Sequence, residues 1–115
     1  MTRDESRQWT LETARQMLSD VRARTERAVK ESDELVAERD AMPAGSNERG
    51  EAERRIQEVV GRWAREMEAL GLEVKGLWLI DFDNGSGYYC WQWPETEVAH
   101  YHGYDEGFDG RTRIQ

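Results

Sequence analysis

His100 and His102 stand one residue apart, and on a β-strand that spacing sends both imidazoles to the same face. Cys90, the sole cysteine of the chain, precedes them, and Asp81 and Asp105 lie to either side. Together these residues offer the nitrogen, sulfur and oxygen donors of a zinc-like site. The paired cysteines or C-x-x-C spacing that mark a structural zinc site do not occur in the sequence. His100, His102 and Cys90 are therefore weak metal candidates, and no cofactor is implied. The plainer alternative bonds the histidines to backbone or carboxylates and packs Cys90 as a small apolar group.

Cys90 and His102 also suggest a thiol nucleophile with its base. No known nucleophile motif surrounds Cys90, and a cysteine between Tyr89 and Trp91 in mid-strand is more often buried. Asp81 with Glu97 would make a hydrolytic carboxylate pair, but the seven acids from residue 76 onward will pair by chance. The glycine-rich stretches 84–87 and 103–110 have neither the strand-loop-helix setting nor the lysine of a phosphate cradle. Trp78, Trp91, Trp93, Tyr101 and Phe108 supply an aromatic surface or core. With nearby carboxylates they would suit a cation held against ring faces, or form a second small core sealed by the tail.

Charge narrows the partners. The net charge is −8, with −3 on residues 1–75 and −5 on residues 76–115, which hold only Arg111 and Arg113 as basic residues. Phosphate backbones and anionic lipids both bind clustered lysine and arginine, so nucleic acid and membrane surfaces are disfavoured. A cationic ligand or a basic protein surface fits the sign better. A lone cysteine, an N-terminus MTRDESRQ without a signal-peptide core, and no membrane-length apolar run lead us to expect a cytoplasmic protein.

Two helices precede this segment. Residues 1–8 are polar and expected to fray. Helix one is expected over 10–42, capped by Thr10, with apolar positions Leu11, Ala14, Leu18, Val21, Ala28, Leu35 and Met42 at three-four spacing. Thr25, Ser32 and Arg39 fill the polar gaps of that stripe. A turn over 43–47 leads to helix two over 47–70, whose stripe is Ile56, Val60, Trp63, Met67 and Leu70. Gly61 inside it suggests a close approach, and Gly71 stops it. The pattern then turns to strands: 77–82, a hairpin turn with Asn84-Gly85 at its tip, 88–93, and 97–102. The fold class is α+β: a long antiparallel helical hairpin, a three-stranded antiparallel meander over 77–102, and an ordered tail over 103–115, in one domain.

The opening WTLETARQML, the break LGLEVKGL and the series LIDFD, YYCWQW, EVAHYH and DEGFDGR resemble the DUF2203 family of small bacterial and archaeal proteins. The resemblance runs from Trp9 to Arg111. It implies this fold and a cytosolic location, and no activity. Its polar members, carried over position by position, are Asp81, Cys90, Glu97, His102 and Arg111. In the family an aromatic more commonly stands at position 100, a glycine at 94 and a proline at 83, where this chain has His100, Pro94 and Asp83. Arg111, a planar guanidinium, would fork onto Asp81 or Glu97 and tie the tail to the sheet.

Two functions are expected from different classes. The leading one is a non-enzymatic interaction or assembly module, a homodimer joined through its helices, because the striped helices are too long for the small sheet to cover. The alternative is a small-molecule or metal site at the sheet–tail junction, built from Asp81, Cys90, Glu97, His102 and Arg111.

Overall fold

The structure is a computed structural model and describes residues 8–115. The expected fraying of residues 1–8 thus falls, but for Gln8, outside them. Helix α1 spans Leu11–Asp40 and helix α2 Asn47–Ala69. An antiparallel sheet follows, with strands β1 Glu73–Gly76, β2 Leu79–Asp83, β3 Tyr88–Gln92, β4 His100–His102 and β5 Thr112–Arg113 in spatial order one to five. A 3-10 turn, Phe108–Gly110, interrupts the tail. The α+β class stands, but the meander has five strands rather than three.

The helix ends are set by side chains chosen for them. Thr10 accepts from the Thr13 amide while Thr13 reaches back to the Thr10 amide, a reciprocal capping box. Ser46 caps α2 by accepting from the Arg49 amide. At the far end Gly71 takes φ +93, and the Gly71 and Leu72 amides bond Glu68 and Met67 carbonyls in a Schellman turn. Helix α1 stops at Asp40, two residues short of the expected end, with Ala41 as its C-cap. Pro43 forces the residues before it out of helical geometry.

The α1 stripe buries Ala14, Leu18, Val21, Thr25, Ala28, Ser32 and Leu35, and α2 answers with Ala52, Val59, Trp63 and Met67. Val59, not Val60, is the buried member, because the stripe began a turn earlier, at Ala52. Trp63 is 1% exposed and sits edge-on to Trp78 at 4.9 Å between ring centres. Its indole N–H donates to Thr25 Oγ1 at 2.8 Å, and that hydroxyl donates to the Val21 carbonyl. Gly61 marks no close approach, since an added Cβ would meet only the flexible end of Arg65.

Register decides which sheet face holds the core. Ile80 stands opposite Trp91, and Phe82 opposite Tyr89. Directly paired residues share a face, so Ile80, Phe82, Tyr89 and Trp91 all lie on the helix side. Ile80, Phe82 and Trp91 are fully buried there with Val98, each contributing roughly 1.5–3 kcal/mol by burial. The same register places Glu73, Asp81, Cys90, His100 and Arg113 in a row across the outer face. Trp78 lies outside the strands, in the β1–β2 turn at φ +58. Among the described residues no helix is long and apolar enough to cross a membrane.

Candidate functional site

The outer row is where the chemistry gathers. Asp81 and Cys90 are cross-strand partners on β2 and β3, and His102 sits diagonally from Cys90 on β4. Their exposures are 1%, 1% and 4%. One ligand atom from each lies within 4.8 Å of the other two. The tail folds back over this row and leaves a cleft of about 230 Å³, lined by Lys75, Leu79, Glu106, Gly107 and Phe108 above the three buried residues.

His102 is fixed at both nitrogens. Nδ1 lies 2.9 Å from the Gly103 carbonyl oxygen, which can only accept, so Nδ1 carries a proton. Nε2 lies 2.9 Å from Asp81 Oδ2. Asp81 Oδ1 is buried without a partner. The Cys90 thiol is near enough to influence this carboxyl, yet among the described residues no donor reaches Oδ1 in bonding geometry. Burial pushes the Asp81 carboxyl up, against the pull of the His102 ring. Burial also pushes the Cys90 thiol up to about 12, helped by the Asp81 charge and opposed by Arg111. A thiol so protonated and enclosed is a poor nucleophile.

Arg111 links the tail to this floor. Its Nη1 is 3.8 Å from Cys90 Sγ and its two terminal nitrogens reach Glu95 at 3.2 and 2.6 Å. Of the two expected partners, Asp81 is engaged by His102, and Glu97 is exposed in the β3–β4 connection, because the third predicted strand begins at His100 and not at residue 97. Glu95 takes its place, held in a turn in which its amide donates to the Gln92 carbonyl. Burial pushes the Glu95 carboxyl up, but Arg111 and the Gln92 amide outweigh it and hold the group below its ordinary value. Helix α1 pins this connection: Arg15 donates to the Val98 carbonyl, and Arg22 to the Pro94 and Glu95 carbonyls.

The other candidates fall outside the cluster. His100 shares a face with His102, but its Nδ1 is buried without a partner, 4.0 Å from Glu95, and it lines no part of the cleft. Asp105 is exposed. Among the aromatics, Trp91 is core and donates to the Glu95 carbonyl, while Tyr101 is 46% exposed. Trp93 carries Arg22 over its ring and Phe108 carries Arg111, so the protein's own cations already cover those faces. Lys75 likewise lies over Tyr88 and pairs with Glu73. Sequence reasoning missed Glu95, Lys75 and strand β1. The alternation Leu72-Glu73-Val74-Lys75 after Gly71 was the available signal for β1 and Lys75.

An α+β chain of this build, with a helical hairpin laid on one face of a small sheet and a polar cluster on the other, defines the class. The chain belongs to the DUF2203 family, described as an uncharacterized conserved protein, whose family model matches residues 7–114. No curated protein and no solved structure is matched by the chain.

Proposed function

We propose that the protein is a cation-binding module whose site is the cleft between the outer sheet face and the tail. One observation carries the reading. Among the described residues Asp81 Oδ1 is an acceptor with no partner, on a residue 1% exposed, at the floor of a cleft. Leaving such an acceptor unmet costs about 1–3 kcal/mol, which an arriving cation or donor would offset. The −5 charge of residues 76–115 favours that sign of ligand. Binding rather than covalent chemistry is supported by the enclosure of Cys90, whose burial pushes the thiol up to about 12.

Assembly through the helices has less to support it. The apolar stripe is used between α1, α2 and the sheet. Large apolar side chains that stay exposed among the described residues are Leu77, Tyr101, Tyr104 and Phe108, all outside the helices. A cytoplasmic setting remains our expectation, resting on a chain with a single cysteine.

Thermal unfolding of the full chain and of Asp81→Asn, with and without organic ammonium and divalent metal cations, tests the reading. At least one cation should raise the midpoint of the wild type and leave Asp81→Asn unmoved. Equal responses of the two proteins to every cation would refute it.

A further inference from the structure

We infer that Asp81, Cys90 and His102 are three ligands of a zinc-class transition-metal ion, its fourth coordination position opening on the cleft. This rests on the reading of the cleft as a cation site and names the cation. The donor set is one carboxylate oxygen, one sulfur and His102 Nε2, all within 4.8 Å of one another. A tetrahedral ion with bonds of about 2.0–2.3 Å needs its ligand atoms about 3.3–3.8 Å apart, so side-chain shifts of about 1 Å would close the shell.

Three further features point to a metal rather than an ammonium group. First, His102 holds Nδ1–H on the Gly103 carbonyl, the outer-shell contact that aims the other ring nitrogen at an ion. Second, Asp81 Oδ1 is buried and, among the described residues, unpartnered, as expected of an oxygen whose partner is an ion. Third, Arg111 Nη1 sits 3.8 Å from Cys90 Sγ and is itself neutralised by Glu95. A metal-bound thiolate would accept that N–H, whereas a thiol gains little from it. Calcium and magnesium are poor fits, because two of the three donors are nitrogen and sulfur. Three protein ligands with one open position match a site that also engages a small ligand, here between Leu79, Phe108, Lys75 and Glu106.

Cobalt(II) titration of the chelator-treated full chain tests this. One equivalent of Co²⁺ should produce a sulfur-to-cobalt charge-transfer band in the near ultraviolet with strong four-coordinate bands in the visible, and one equivalent of Zn²⁺ should erase both. Cys90→Ser should lose the charge-transfer band, and Asp81→Asn should weaken binding more than tenfold, each with an unchanged circular-dichroism spectrum. Should Cys90→Ser not fold, Cys90→Ala carries the same test. Absence of the charge-transfer band, or its survival in the cysteine variants, overturns the inference. If an ammonium compound still separates wild type from Asp81→Asn while Co²⁺ does not bind, the metal inference fails alone and the cation-site reading stands.

Discussion

Asp81 Oδ2 and His102 Nε2 lie 2.9 Å apart, and both residues are almost wholly buried. Because Nδ1 already donates to Gly103, one proton lies between the carboxyl and the ring, whichever of them formally holds it. The pair is therefore either two neutral partners or an ion pair, and in both cases each member needs the other.

That dependence predicts unequal costs for two substitutions. In metal-free protein His102→Ala strips the last partner from a buried carboxyl and should cost about 3–5 kcal/mol. Asp81→Asn can still donate from its amide to Nε2 while Nδ1 keeps Gly103, so it should cost only about 1 kcal/mol. Urea unfolding followed by tryptophan fluorescence measures both. Equal losses would mean that the amide of Asp81→Asn does not stand in for the carboxyl as the partner of Nε2.

Glu95 predicts a pH effect. Its carboxyl is held below the ordinary value of 4.5 in the folded protein, despite partial burial, by Arg111 and the Gln92 amide. A depressed folded pKa contributes stability that is complete above the unfolded value and disappears as pH falls through the folded one. The stability difference between wild type and Glu95→Gln should accordingly shrink as pH falls through and below the ordinary carboxylate range. Arg111→Ala, which removes the main donors, should flatten the same limb. A difference that is constant across that range would show that the Arg111 contact does not move the Glu95 titration.

Why Glu95 escaped the sequence reading, while Asp81, Cys90 and His102 did not, is a matter of where each sits. The three lie on strands, where alternation and the Asn84-Gly85 turn fix both register and face. Glu95 sits in a connection whose path is set by tertiary bonds from Arg15 and Arg22 on α1, and no local pattern reports those. The helices were legible because their stripes repeat over many turns, and Thr10, Ser46 and Gly71 punctuate them. Strand β5 is two residues long and exists only because the tail returns to β4, which periodicity cannot show.

Thr25 is the polar member of an otherwise apolar stripe, and its hydroxyl is the acceptor for the buried Trp63 N–H at 2.8 Å. Thr25→Val keeps shape but orphans that N–H, and should cost about 1–3 kcal/mol. Thr25→Ser keeps the oxygen and should cost clearly less. Denaturant midpoints decide it: a Thr25→Val protein no less stable than Thr25→Ser would show that the bond contributes nothing net.

Gly87 directly precedes β3 and abuts the backbone of His102 at the end of β4. A Cβ built there would stand 2.7 Å from the backbone oxygen of His102, nearer than real Cβ atoms come, and backbone cannot swing aside as a side chain can. Gly87→Ala must therefore push β4 away from β3 at the residue that carries the imidazole. A cost of about 1–3 kcal/mol is expected, as for other forced overpacking. Gly107, on the cleft wall, has nothing within 4 Å of its Cβ position, so Gly107→Ala should stay within about 0.5 kcal/mol of wild type. The two alanines also separate binding from stability. If cation binding needs His102 in place, Gly87→Ala should lose most of the cation-induced rise in unfolding midpoint and Gly107→Ala should keep it. Retention of the full rise in Gly87→Ala would mean that the imidazole is not part of what holds the cation.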